Sequence, residues 1–446
     1  MISDSRIRSR VERALDSAPP ALQVIEALRT MDISLWLVGG AARDALCGRQ
    51  ISDMDMVIDA DPGPILDRIG PGLGFSIFPL DLKRGFYRLT RKKPSPFTVD
   101  ICRMRGRSIE EDLARRDFTI NALAVPLGKR MEGEAAAKAA IIDPFGGVVD
   151  MGNRILRQVS DNSLKEDPLR VLRAHRLTLV LGLTWAPGLE KLMALATGAL
   201  HTVAPERILM ELVKIMAHPQ SHKAVEAMAS TGILPAVFPM AELDREGAVE
   251  NTLETCRILD GILEEESHVG YLNEAVGSGM TRKEVVKIAA ILLHAVREDE
   301  RQGSRLTSEA ARRLKIPSAA ARGMASMVRG WRLPLEEPDD GALFGWLYEM
   351  GDWAGGSLLL ARTAEMAPGP IESFTSRARR ISERWKAAWP ASSPPVTGKE
   401  VMETLGIEPG PDVGRLLREA EKAAALGLIG GKEEALAFIR ERVVKK

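Results

Sequence analysis

The stretch LVGGAARDALCGRQISDMDMVID, Leu37–Asp59, decides both the fold and the chemistry. An apolar run ends in Gly39-Gly40, a short helical pattern follows, and a second apolar run carries Asp53 and Asp55 at alternate positions. In a strand, residues i and i+2 point to one face, so the two carboxylates project together, roughly 6.5–7 Å apart at Cα. Two carboxylates this close repel unless a cation sits between them. Hard divalent ions with oxygen ligands answer that need. Two-ion sites stabilise both the attacking and the leaving oxygen of a phosphoryl displacement. FTVDIC offers Asp100, on a later strand, as a third carboxylate. On this pattern alone, a capping or turn role for Asp53 or Asp55 stays open. The glycines sharpen the reading. A strand that ends in two glycines and opens a helix leaves bare backbone N–H groups where a triphosphate can approach. Arg43, in the first turn of that helix, would add a cation.

Length and composition set the frame. The 446 residues make roughly three domains a fair expectation. No run of about 18 apolar residues exists, so no membrane span is expected. The opening MISDSRIRSRVERALD is charged and helical in pattern, unlike a signal peptide. Cys47, Cys102 and Cys256 are far apart and give no disulfide framework, so a reducing cytoplasm is the expected compartment. Lys plus Arg and Asp plus Glu both total 61, so a nucleic-acid surface must come from local patches.

SLWLVGG, DMDMVID, FSIFPL, FYRLT and FTVDIC read as strands, rich in Val, Ile, Phe and Leu. From about Ser160 onward nearly everything has helical period, as in LRVLRAHRLTLVLG and PERILMELVKIMAH. Strands followed by helices, unmixed, point to an α+β protein. WPASSPPVTG, Trp389–Gly398, reads as a linker before a last helical segment.

Further stretches narrow the class. With the Gly-Gly and Asp-x-Asp pattern, RRDFTINALAV (Arg115–Val125), EDPLRVLRAHRL (Glu166–Leu177) and APERILMELVKI (Ala204–Ile215) resemble, in order, the motifs of the bacterial-type (class II) tRNA nucleotidyltransferase and poly(A) polymerase family. The tail VTGKEVMETLGIEPGPDVGRLLREAEKAAALGLI is similar to that family's C-terminal RNA-binding segment. The resemblance covers most of the chain. It implies a nucleotidyltransferase-type mixed-sheet head at 1–148, a helical neck with a base-selecting motif at 149–218, a helical body at 219–335 and a tRNA-binding helical tail at 336–446. It also implies Mg2+-dependent, template-independent transfer of nucleotides to a tRNA 3′ end, with pyrophosphate released.

In the family, the Asp and Arg of the EDxxR motif read the incoming base, which here means Asp167 and Arg170. They stand three apart, neighbours on a helix surface. A carboxylate only accepts hydrogen bonds and a guanidinium only donates. Cytosine and adenine both present an amino donor beside a ring-nitrogen acceptor, whereas uracil and guanine present the reverse. The pair therefore accepts C and A and leaves polar groups unpaired against U and G. From the residues alone, Asp167 before Pro168 also reads as an N-cap, and Glu166 with Arg170 as an i,i+4 pair. The resemblance puts Arg116 on the nucleotide phosphates and Asp117 with Asn121 near the ribose. Arg173 and Arg176 extend the Arg170 row as a phosphate-facing edge. Gly39, Gly40 and Arg43 complete the nucleotide site, and Asp53, Asp55 and Asp100 the catalytic set, with Asp53 and Asp55 holding the metal. Glu206 and Arg207 are expected to brace packing.

Two departures from the family stand out. Complete CCA-adding enzymes and poly(A) polymerases carry a flexible loop between the segments that correspond to FTVDIC and RRDF. Here ICRMRGRSIEEDLARR joins them, and SIEEDLA already reads as helix. The shortage resembles the CC-adding subclass, which takes CTP, stops after two cytidines and leaves the terminal A to a partner enzyme. A full CCA-adding enzyme using CTP and ATP, a poly(A) polymerase, or a non-catalytic RNA-binding protein are the alternatives. The second departure lies at NTLETCRILDGILEE (Asn251–Glu265) and KIAAILLHAVREDE (Lys287–Glu300), which look like an HD-type metal phosphohydrolase without its ligands. The His-Asp pair reads His294-Ala295, and the first helix has Thr252 and Glu254 but no His. His294 is therefore expected as a buried, hydrogen-bonded side chain. For RNA, residues 301–332 hold Arg301, Arg305, Arg312, Arg313, Lys315, Arg322, Arg329 and Arg332 against one acid, Glu309. Arg415 and Arg418 add charge in the tail. Such clusters neutralise backbone phosphates, and the family's tail reads tRNA by shape.

Overall fold

The apolar alternation forms strands where it predicts them: β1 Leu35–Val38, β2 Asp53–Ile58, β3 Ser76–Asp81, β4 Phe86–Arg91 and β5 Phe97–Arg103. A sixth strand, β6 Ala124–Pro126, closes the RRDFTINALAV stretch. This computed structural model describes residues 4–51, 53–91, 97–127, 141–238, 247–265, 269–294, 300–364, 369–390 and 394–444. The six strands make one mixed sheet in the order β3-β4-β5-β2-β1-β6. β2 and β5 run parallel, and every other neighbouring pair is antiparallel.

Period-two alternation gives the sheet two different faces. Met54, Met56, Ile58, Leu89, Val99 and Ile101 enter one core, packed with residues from the helices Asp4–Asp16, Pro19–Arg29 and Gly39–Leu46. Each such side chain contributes about 1.5–3 kcal/mol when buried. Trp36, Val38 and Val57 face the other way and are covered by Ile109 and Leu113 of the short helix Ile109–Leu113. Asp53, Asp55 and Asp100 share that second face by alternation, beyond the part the short helix covers. β3 and β6 are the edge strands. β3 contains Pro79 and an irregularity between Pro79 and Asp81.

Two compact units divide the chain, Met1–Val203 and Ala204–Lys446. The first holds the sheet and the helix Arg170–Leu181. Among the described residues of the second, every regular element is helical apart from a hairpin of Ala275–Gly277 with Met280–Thr281. The α+β class read from the sequence is the one observed. The stretch Trp389–Gly398, expected as a linker, joins the helices Pro370–Ala388 and Gly398–Leu405, and its residues 391–393 lie outside the described residues. Trp389 and Val396 are buried in the core of the last helices, because both side chains find apolar partners on them. Among the described residues no helix is long and apolar enough to cross a membrane.

In the second unit, the helix Arg282–Leu293 buries nearly every side chain. One of them is Lys287, whose ammonium pairs with Asp260 at 2.7 Å, both side chains being 4% exposed. Asp260 also accepts from Ser221 Oγ at 3.1 Å and from the His222 backbone N–H at 2.7 Å. Lys287 donates further to the His218 carbonyl at 2.9 Å. The HD-like stretches form the helices Ala248–Glu265 and Arg282–Leu293. His294 follows the second of them. Its Nε2 lies 2.7 Å from Thr255 Oγ1, and its ring packs edge-on to Trp331. Ala295 lies outside the described residues. Lys287→Met leaves the buried Asp260 carboxylate without its cation, held by Ser221 and His222. It is expected to destabilise the second unit by about 3–5 kcal/mol, read as a lower urea midpoint, with most of the loss recovered in Lys287→Met/Asp260→Leu. An unchanged midpoint for the single variant would show that the pair is solvated.

Candidate active site

The parallel register sets Asp55 against Asp100 and Asp53 against Thr98. Asp53 is exposed and Asp55 half-buried. Burial pushes the Asp55 carboxyl up to about 6; the Arg116 charge opposes this and the Asp100 and Asp53 charges reinforce it. Behind Asp55 the chain turns from β1 into the helix Gly39–Leu46. Gly39 has φ 67°. A Cβ there would come within 2.9 Å of Arg116 Nη1 and 3.2 Å of Asp55 Oδ2, so only glycine lets the turn lie against both groups. Val38 offers no side-chain acceptor to the first N–H groups of this helix, which leaves them for a ligand oxygen.

The arginines are more committed than the sequence implies. Arg116 Nη2 donates to Asp112 Oδ2 at 3.1 Å, and Asp112, wholly buried, also accepts from Arg105 Nε at 3.1 Å. Arg116 Nε is buried without a partner. Arg43 belongs to the last turn of its helix, a correction to the first-turn placement, because the helix begins at Gly39 itself. Its Nη1 donates to Asn121 Oδ1 at 2.6 Å, while Nε and Nη2 hold Asp44. Asn121 Nδ2 donates in turn to Asp117 Oδ1 at 3.1 Å. Arg173 is not on a free phosphate-facing edge: Nε and Nη2 reach Asp117 Oδ2 at 2.8 and 2.7 Å. Burial works against ionisation of Asp117. The Arg173 charge, with hydrogen bonds from Asn121, Arg173 and the Phe118 N–H, outweighs it and holds the carboxyl down at about 2. Arg176 lies half-buried on the same helix.

Asp167 and Arg170 do not share a helix surface. Asp167 is extended at φ −143°, ψ 96°, and the helix starts only at Arg170, since Pro168 disfavours helical geometry in the residue before it. The Asp167 carboxylate accepts from the Leu169 N–H at 3.3 Å, the capping arrangement. Arg170 donates to Ser163 O and Oγ at 2.9 and 2.8 Å and to the Arg115 carbonyl at 2.6 Å, which fixes its guanidinium plane.

Sequence reasoning missed Arg88. Its Nε and Nη2 bind both oxygens of Asp100 at 2.8 and 2.7 Å. The contact crosses two strands and leaves no local pattern. Asp112 was missed as well, although its i,i+4 spacing from Arg116 was visible. Among the described residues no three His, Cys, Asp or Glu side chains are placed to hold a metal ion. Asp53 and Asp55 remain as a carboxylate pair on one face. That donor set suits Mg2+, which takes one or two carboxylates and fills its shell with substrate phosphates and water.

The basic segment of the second unit is also partly spent on internal contacts. Arg313 donates to the Ala236 carbonyl, Lys315 pairs with Glu206 at 2.5 Å, and Arg332 lies over Trp331. Arg305, Arg312, Arg322 and Arg329 are exposed, and the Arg301 side chain lies outside the described residues.

A mixed sheet that presents an Asp-x-Asp strand beside a glycine-led helix start is the architecture of a nucleotidyltransferase. Comparison with known proteins narrows the class. Residues 83–157 match a poly A polymerase head domain, and residues 182–244 match a probable RNA and SrmB-binding site of polymerase A. An A-adding tRNA nucleotidyltransferase of Deinococcus radiodurans is 31% identical, with 91% of this chain and 94% of that protein covered. A CC-adding tRNA nucleotidyltransferase of Geobacter sulfurreducens is 29% identical, with 96% of each covered. The crystal structure of the Bacillus stearothermophilus CCA-adding enzyme in complex with CTP superposes with a TM-score of 0.68 at 25% identity, over 96% of this chain and 98% of that one. The chain belongs to the bacterial-type tRNA nucleotidyltransferase and poly(A) polymerase family, and it is an enzyme of nucleotidyl transfer.

The Asp117 carboxyl is held low in the folded state, so its stabilisation is present at neutral pH and is lost as pH falls from about 4 toward 2. Asp117→Asn is expected to destabilise the first unit by about 2 kcal/mol at pH 7. In urea unfolding, its gap from the parent should narrow below pH 4. A gap of equal size at pH 7 and pH 3 would assign the loss to packing rather than to charge.

Proposed function

We propose that the chain is a tRNA nucleotidyltransferase of the CC-adding kind, transferring CMP from CTP to a tRNA 3′-hydroxyl and releasing pyrophosphate. The observation that carries the CC-only reading is the connection after β5. That strand ends at Arg103, and the next helix starts at Ile109 with Ser108 as its N-cap. The five residues between are tied down: Met104 N–H donates to the Ile58 carbonyl at 2.8 Å, Arg105 N–H to Asp112 at 3.0 Å and Arg107 N–H to Glu111 at 3.0 Å. Nothing there is free to act as a lever that repositions the base-reading pair for ATP. Similar proteins of full length include both A-adding and CC-adding enzymes, so the distinction rests on this connection.

In this reading the triphosphate lies against the helix start at Gly39 and Gly40, with Arg116 and Arg43 as its cations. The buried Arg116 Nε lacks a protein acceptor, as a phosphate-binding group requires. Asp117 and Asn121, locked by Arg173 and Arg43, present a fixed edge to the ribose. Asp167 accepts from the base amino group and Arg170 donates to its ring nitrogen, with Arg176 further along the helix toward the phosphates. Asp53 and Asp55 would hold Mg2+, with Asp100 beside them. Bound there, Mg2+ supplies charge stabilisation at the reacting phosphate. A separate enzyme would then add the terminal A.

The test is a tRNA lacking its 3′ end, offered CTP, ATP or both. The expected product carries two cytidines and no adenosine. Efficient AMP addition to an end already bearing both cytidines would sink the CC-only reading in favour of A or CCA addition. Asp53→Ala should lower transfer by roughly a thousandfold or more while tRNA binding and thermal melting stay near parent values.

A further inference from the structure

The row of residues across the sheet continues past the carboxylates. Asp55 pairs in register with Asp100, Asp100 with Arg88 and Arg88 with Phe78. Partners in register share a face, so the four side chains form one line across β2, β5, β4 and β3. At strand spacings of about 4.8 Å, Phe78 lies roughly 14 Å from Asp55 along that line. Phe78 is 50% exposed, and the Arg88 side chain is 42% exposed. A half-exposed phenyl ring on the catalytic face, next to a partly exposed guanidinium, is not explained by packing.

Reaction geometry supplies an occupant. In phosphoryl transfer the attacking and leaving oxygens stand roughly in line. The groups proposed to hold the triphosphate, Gly39, Arg43 and Arg116, lie on the β1 side of Asp55. Pyrophosphate therefore departs toward β1, and the attacking 3′-oxygen must come from the β5-β4-β3 side. We infer that Arg88 and Phe78 form the subsite for the last nucleotide of the acceptor RNA. The Phe78 ring stacks on its base, and the Arg88 guanidinium pairs with its phosphate. This rests on the nucleotidyltransferase reading above and assigns the acceptor side of the same site. Arg88 spends Nε and Nη2 on Asp100, and a guanidinium has five donors in a planar fork, so its Nη1 edge remains for a phosphate oxygen. It thus acts as a positioning residue that links the acceptor end to the third carboxylate. Stacking on an aromatic ring is tolerant of base identity, which suits a first addition to tRNAs whose last base varies.

The experiment uses the full chain and a truncated tRNA whose last base is 2-aminopurine. Binding to the parent, without nucleotide or added metal, is expected to quench the fluorescence. Phe78→Leu keeps the apolar surface and should abolish the quench. Phe78→Ala and Arg88→Gln should each raise the KM for tRNA about tenfold, or about 1.4 kcal/mol, with the KM for CTP within about twofold of the parent. Arg88→Lys should recover most of the Arg88→Gln loss. A parent that adds no CMP overturns the proposed function itself. A parent that adds CMP, with Phe78 variants that keep its quench and its KM for tRNA, overturns the acceptor subsite alone.

Discussion

Parallel pairing of β2 with β5 is the constraint on which the site depends. It sets Asp55 and Asp100 side by side, about 5 Å apart at the backbone. At an effective dielectric near 20, two like charges at that range repel by about 3 kcal/mol. The fold tolerates this because cations flank the pair on both sides. Burial still raises the Asp55 carboxyl, but Arg116 is close enough to oppose that rise, and Arg88 grips Asp100 with two hydrogen bonds. Arg116 is itself held by Asp112. The two like charges thus sit between cations, and each of those cations is fixed by a carboxylate: Arg116 by Asp112 and Arg88 by Asp100.

A second chain of contacts joins the sheet to the helix that follows it. Arg43 holds Asn121, Asn121 holds Asp117, and Asp117 holds Arg173 of the helix Arg170–Leu181. Ser163 extends it, accepting from Arg170 and donating to the Asp117 carbonyl. Such a network sets the orientations of its side chains within the fold itself, as the proposed nucleotide site would require.

The sequence showed the strands because their alternation is local: DMDMVID and FTVDIC each display the period that buries Met54, Met56, Val99 and Ile101. It showed the carboxylates for the same reason. It could not show that β2 and β5 are parallel neighbours, since that depends on pairing between segments distant in the chain. Arg88 was invisible because its contact with Asp100 depends on the register between β4 and β5, which neither strand shows by itself. Arg173 was read as ligand-facing because an arginine in a spaced row looks alike whether its partner is a phosphate or a distant Asp, and the glycine turn beside Arg43 gave no sign of its bond to Asn121. Asp167 illustrates the opposite case. Its capping contact was legible from the following Pro168, beside the base-reading role that the motif implies. His294 was legible as a hydrogen-bonded side chain, although its partner Thr255 was not.

The edge strand β3 carries a physical tension. Phe78 and Leu80 are exposed there and Leu82 just past its end, and an exposed apolar edge is a template on which another chain can add a strand and begin to aggregate. Pro79, in the middle of β3, has no N–H to offer such a strand. The irregularity around Leu80 breaks the repeat that a docking strand would follow, and Lys83 and Arg84 place charge just beyond. The edge can therefore leave aromatic surface open to water while remaining closed to β-sheet extension, which keeps an apolar face compatible with solubility.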